Sequence, residues 1–275
     1  MTTTDPSSSR RPAVAGLFYP GDPRVLQHTV HSLLAAAAPA RTEALPKAII
    51  APHAGYVYSG PIAASIYARL APLRGRVTRV VLLGPTHRVA VRGLAHPGCR
   101  WFETPLGKVE IDQDALDGLR ALPQVTGSPA AHAQEHSLEV HVPFLQAVLG
   151  TFKLVPLAVG HASPAEVAAV FDALWGGSET LIVVSSDMSH YLPYREAQQL
   201  DRATADAIVR LSTDIDHEGA CGATPVSGLA YTAQRRGLTV ELVDLRNSGD
   251  TAGTRDQVVG YAAFAFTGEE HHAGQ

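Results

Sequence analysis

Apolar residues bunch into six short runs: KAIIA (47–51), RVVLLG (79–84), KLVPLAV (153–159), TLIVVSS (180–186), LTVELVDL (238–245) and VVGYAAFAF (258–266). Runs of this length with little polar alternation predict strands covered on both faces. Between them, apolar positions recur at helical spacing in 23–37, 60–70, 163–175, 194–211 and 225–236. Strands that alternate with helices predict an α/β fold in which helices cover both faces of a sheet, a three-layer α/β/α sandwich.

Local signals sharpen some of the helix starts. Ser163 with Pro164 next and Glu166 three residues on predicts a capping box. Thr224 before Pro225 predicts a second cap, and Ser59-Gly60-Pro61 the opening of a third helix. No repeat of roughly 20 to 50 residues appears, and no Gly/Ser linker divides the chain. We expect a single domain over 11–267 with frayed ends at 1–10 and 268–275, the latter holding His271 and His272.

Composition narrows the class. The chain has 275 residues, of which 45% are hydrophobic and 17% charged, as in ordinary folded proteins. A formal net charge of −4 leaves no basic excess for a nucleic-acid partner. No apolar stretch is long enough to span a membrane, and the start MTTTDPSSSRRP lacks the apolar segment of a secretory signal, so the expected location is the cytoplasm. In that reducing compartment Cys99 and Cys221 are read as free thiols.

The candidate chemistry sits where apolar runs end. His53, in APHAGY, follows the run 47–51, and residues just past the carboxyl ends of strands line the crevice of open α/β sheets. A histidine bonded to a loop carbonyl fits that segment equally well. His87, in GPTHR, repeats the arrangement, and two neutral imidazoles with one anionic group make a metal triad with open positions. Cys221, just before a predicted helix start, is a soft candidate for that third group, favoured as thiolate by the helix dipole; an inert buried thiol is the competing reading. In SSDMSHY, Asp187 and His190 can share a cavity as an orienting carboxylate and a proton-exchanging imidazole, or Asp187 or Ser189 can cap a helix.

EHSLEVH brings Glu135, His136, Glu139 and His141. Its histidines lie five apart, which breaks the HExxH spacing of zinc proteases. Glu135 and His136 are candidates to orient metal-binding histidines from behind. Ser227 lacks the flanking glycine of a nucleophile elbow, and no dinucleotide or P-loop motif occurs.

Taken in order from about Arg11 to about Phe266, RPAVAGLFYP, APHAGYVYSG, LLGPTHR, EHSLEVHVPF, VSSDMSHY and CGATPV resemble the Memo-like family, labelled in many prokaryotes AmmeMemoRadiSam system protein B. The resemblance implies kinship with class III extradiol ring-cleaving dioxygenases and hence a mixed, largely parallel sheet. It implies a mononuclear metal site of His53, His87 and Cys221, with His190 and Asp187 as catalytic residues. Phe18, Glu135, His136 and His141 are expected as substrate contacts.

The dioxygenases carry a glutamate where Cys221 stands, which argues against ring cleavage. A thiolate suits copper and alters an iron(II) centre by donating charge. The leading expectation is therefore an iron- or copper-dependent oxidoreductase acting on oxygen or a small organic substrate. A peptide- or protein-binding module using the same crevice is the second reading, and a zinc-dependent hydrolase the third. The family label also suggests AMMECR1-domain and radical SAM proteins as partners.

Overall fold

The structure, a computed structural model, describes residues 8–37 and 44–268. The expected frayed ends, with His271 and His272, fall mostly outside the described residues. In chain order, β1 (Ser9–Arg10) and α1 (Pro23–Ala36) lead to β2 (Ala48–Ala51), α2 (Tyr56–Tyr67) and β3 (Arg79–Pro85). Short elements follow: β4 (Leu94–His96), β5 (Trp101–Thr104), β6 (Gly107–Ile111), α3 (Gln113–Gly118), β7 (Val125–Gly127) and α4 (Pro129–Ala133). The second half runs α5 (Val142–Leu149), β8 (Lys153–Val159), α6 (Pro164–Leu174), β9 (Thr180–Ser185), β10 (His190–Leu192), α7 (Tyr194–Val209), α8 (Ala223–Arg236), β11 (Thr239–Asn247) and β12 (Val258–Thr267).

The centre of the sheet is four parallel strands in the order β8-β3-β9-β2, with β12 added antiparallel to β2 and β11 antiparallel to β12. Helices α1, α2 and α5 pack together on one side, while α6 and α8 pack on each other and α8 lies against β3 and β9. The α/β/α sandwich with a mixed, largely parallel sheet is thus observed. Successive residues Val80, Val81, Leu82 and Leu83 point to alternate faces, and all four are fully buried, so both faces of β3 are covered. Each such side chain contributes about 1.5–3 kcal/mol by leaving water.

Register places the site. Ala51 pairs with Ser185 and Leu83 with Val184, so β2, β9 and β3 end nearly level. His53, Asp187 and His87 each lie two residues beyond the last residue of their strand. Three groups from three adjacent strands are thereby delivered to one edge, as parallel in-register pairing requires.

Some local expectations are corrected. The helix expected to open at Ser59-Gly60-Pro61 begins at Tyr56, with Gly55 as its cap, because the Tyr56 N–H is already held by the Phe18 carbonyl at 2.7 Å. Thr224 is not a cap: α8 is capped two residues earlier, by Gly222, and starts at Ala223 with no side-chain cap bond. Neither Asp187 nor Ser189 caps a helix, since β10 intervenes before α7. Ser9 and Arg10, expected in the frayed start, form β1 against β5, and Arg10 is buried. The Ser163–Glu166 capping box is present. Among the described residues no helix is long and apolar enough to cross a membrane.

Candidate metal centre

Three histidines meet at the strand ends. A ring nitrogen of each of His53, His87 and His136 lies within 4.8 Å of those of the other two, a group able to hold a metal ion. The His87 and His136 rings stack at 4.6 Å, and His53 stands edge-on to both. His53 is 1% exposed, and His87 lies on the solvent side.

Hydrogen bonds decide which nitrogen each ring offers. Ser185 has one hydroxyl hydrogen and donates it to the Ser137 carbonyl at 2.6 Å, so toward Nδ1 of His53, also 2.6 Å away, it accepts. His53 therefore carries its proton on Nδ1 and keeps its lone pair on Nε2, the atom that faces Sγ of Cys221. Glu135 does the same for His87, with Oε1 2.8 Å from Nδ1, and the same oxygen also lies 3.3 Å from Nδ1 of His136, as a close charge contact. Burial works to raise the Glu135 pKa, but hydrogen bonds and charge from His87 and the Ser137 N–H hold it down at about 2, so it is an acceptor only. Burial, then the charge of His87, depresses His136 to about 4, and burial drives His53 well below the ordinary histidine range. At neutral pH His53 and His136 are neutral imidazoles, the form that binds metals.

Cys221 is the neighbour of His53. Its Sγ lies 3.3 Å from Nε2 of His53 and accepts the Asp187 N–H at 3.3 Å. Burial first, and the charge of Asp187 second, push the Cys221 thiol up to about 12. The fit to a metal rests on the donor set itself, which is bare imidazole nitrogens beside a sulfur, a combination suited to copper, zinc and iron. Asp187 is buried, and burial raises its pKa to about 7. Its Oδ1 accepts the His53 N–H at 2.7 Å, and Oδ2 is 4.0 Å from Nε2 of that ring. Its bonds thus anchor the His53 loop and Cys221.

The remaining candidates ring the centre. His190 is exposed at the rim, held below the ordinary histidine range first by desolvation on its inner side and also by His87; the Met188 carbonyl accepts from the ring. The next residue, Tyr191, is 68% exposed with φ of +58°, and the pairing of β10 with β12 slips there. A bulky residue in the left-handed region is strained, and such strain gathers at functional sites. The Phe18 ring sits 4.8 Å from that of His136. His141 lies deeper, buried and 2.9 Å from the Tyr67 hydroxyl through Nδ1. A cleft of about 750 Å³ between α7 and β11 contains none of the three histidines or Cys221.

Sequence reasoning put His136 outside the metal-binding set, and the structure brings its ring into the group of three. Glu135, expected at a substrate, is buried with both oxygens committed to histidines and backbone. Glu139 drew no role from the sequence. It receives the Arg10 guanidinium, the Tyr19 hydroxyl and the N–H groups of Ala13 and Val14, and so straps the segment that carries Phe18 onto the centre.

The family model described as Memo-like protein matches residues 10–265. A MEMO1 family protein of Aquifex aeolicus is 40% identical over 275 residues, covering 94% of this chain and 98% of its own length. Another from Archaeoglobus fulgidus is 36% identical, covering 94% and 99%. Among solved structures, the uncharacterized protein JW3007 from Escherichia coli K12 covers 78% of this chain and 98% of its own at a TM-score of 0.48 and 15% identity.

Proposed function

The chain belongs to the Memo-like family, and from that premise we propose that it is a metal-dependent oxidoreductase holding one iron(II) or copper ion at His53, His87 and Cys221. The observation that carries the reading is the convergence of imidazole nitrogens within 4.8 Å with a thiol 3.3 Å from one of them. When bound, such an ion supplies a redox-active Lewis acid for oxygen or a small organic substrate.

The protein's own groups supply the rest. Ser185 fixes His53 by its Nδ1 proton, and Glu135 fixes His87, so that neither ring turns away from the crevice. His190, on the solvent side, has one ring nitrogen engaged by the Met188 carbonyl and the other free to exchange a proton with substrate. Asp187 holds the backbone of the His53 loop and positions Cys221 through main-chain bonds. The Phe18 ring packs against that of His136 and forms one wall beside the histidines.

A second reading, a docking site for an apolar peptide, is supported by Leu17, Val57, Tyr58 and Tyr191, which are 81, 65, 40 and 68% exposed and flank site residues in sequence. Anaerobic purification with metal analysis, followed by oxygen uptake with the loaded protein, separates the two. Iron or copper near one per chain with oxygen consumed supports the oxidoreductase. A colourless zinc centre with hydrolytic turnover, or no bound metal, overturns it.

A further inference from the structure

We propose that His136 is a donor to the same metal ion and that Glu135 is the positioning residue that points both His136 and His87 at it. This rests on the reading that an ion binds here, and adds a third imidazole to its donors.

The Glu135 carboxylate is bonded on both of its oxygens. Oε2 accepts the His87 backbone N–H at 2.5 Å, and Oε1 accepts those of His136 and Ser137, each at 3.0 Å. A carboxylate that only folded this loop would stop there. Instead Oε1 also lies 2.8 Å from Nδ1 of His87 and 3.3 Å from Nδ1 of His136, so one buried oxygen faces the back of two imidazoles. The face of each ring away from that oxygen carries Nε2, and a ring nitrogen of each lies within 4.8 Å of one on His53.

Packing holds His136 in that pose. Its ring is stacked on His87 at 4.6 Å on one side and meets Phe18 at 4.8 Å on another. The stacking keeps the two rings side by side, with a nitrogen of each within reach of one ion. Three imidazoles alone bind borderline ions such as cobalt(II) and zinc(II), while the sulfur of Cys221 adds a preference for soft ones.

The test uses cobalt(II), whose visible spectrum reports coordination number and whose near-ultraviolet charge-transfer band reports thiolate. Affinity and spectrum are measured for the whole protein and for Glu135→Gln, His136→Ala and Cys221→Ser, with thermal unfolding as the check on folding. His136→Gln replaces His136→Ala if the alanine variant does not fold. We expect Glu135→Gln and His136→Ala each to weaken cobalt by about ten- to hundredfold and to shift the visible bands, the range seen when partners behind metal ligands are removed. The effect of Glu135→Gln should shrink in the His136→Ala background, because part of its action runs through that ring. Unchanged affinity and spectrum in His136→Ala, with the unmodified protein binding cobalt normally, overturns this inference and leaves the metal centre standing. No cobalt binding by the unmodified protein overturns both.

Discussion

Asp187 and Cys221 hold each other through reciprocal bonds: the Asp187 N–H donates to Sγ of Cys221 at 3.3 Å, and the Cys221 N–H donates to the Asp187 carbonyl at 3.2 Å. The sulfur is thereby fixed beside His53 before any ion arrives. Cys221→Ser keeps a hydrogen-bonding group but loses the soft donor. Competition with a copper(I) chelator should show an affinity loss of about tenfold or more, with zinc(II) affected less. Equal copper(I) affinity would remove Cys221 from the donor set.

Gly222 sets how closely α8 approaches that pair. A Cβ there would lie 2.5 Å from the Ser185 carbonyl oxygen and 2.7 Å from Cβ of Ser186. Gly222→Ala must push the start of α8, and Cys221 with it, away from β9. The expected result is a stability loss of about 1–3 kcal/mol in urea unfolding, together with weaker copper(I) binding.

Glu139 is fully buried and neutralises Arg10, itself nearly so. Removing one partner of a buried ion pair strands the other, at about 3–5 kcal/mol. Glu139→Gln should lower the urea midpoint accordingly, and it should loosen the strap that carries Phe18. A midpoint within error of the unmodified protein would show that Arg10 finds another counter-charge.

Asp201, buried beneath the loop of Asp187 and His190, accepts the Ser189 N–H at 2.9 Å. Burial is the larger influence and raises its pKa from 3.8 to about 6. The folded state thus binds this proton more tightly than the unfolded chain does. Its stabilising contribution is complete below about 3.8 and is lost as pH rises through about 6. Asp201→Asn, which keeps an acceptor for Ser189, should therefore flatten the fall in stability across that window. Parallel urea titrations from pH 4 to pH 7 check this, and identical slopes would contradict it.

The parts of the fold legible in the sequence were those with strong local cause. Strands β2, β3, β8 and β9 are buried on both faces, so their apolar runs announced them, and Ser163 with Glu166 fixed a helix start within four residues. The β5–β6 hairpin was not legible, because its strands are short and GKVEI carries no long apolar run. For the site, His53 and His87 were visible because each follows a strand end. The place of His136 was not, since it depends on a loop brought back across the sheet by long-range packing. The bonds of Glu139 to Arg10 and Tyr19 span 129 and 120 residues, a separation no local pattern encodes.

The central claim is one ion shared by His53, His87 and Cys221. The most direct measurement is an anomalous-difference map from a crystal of the protein loaded anaerobically with its native metal. The account predicts a single peak within about 2.0–2.3 Å of Nε2 of His53 and His87 and of Sγ of Cys221. A peak bound elsewhere, or none above noise at this site in fully loaded protein, would contradict it.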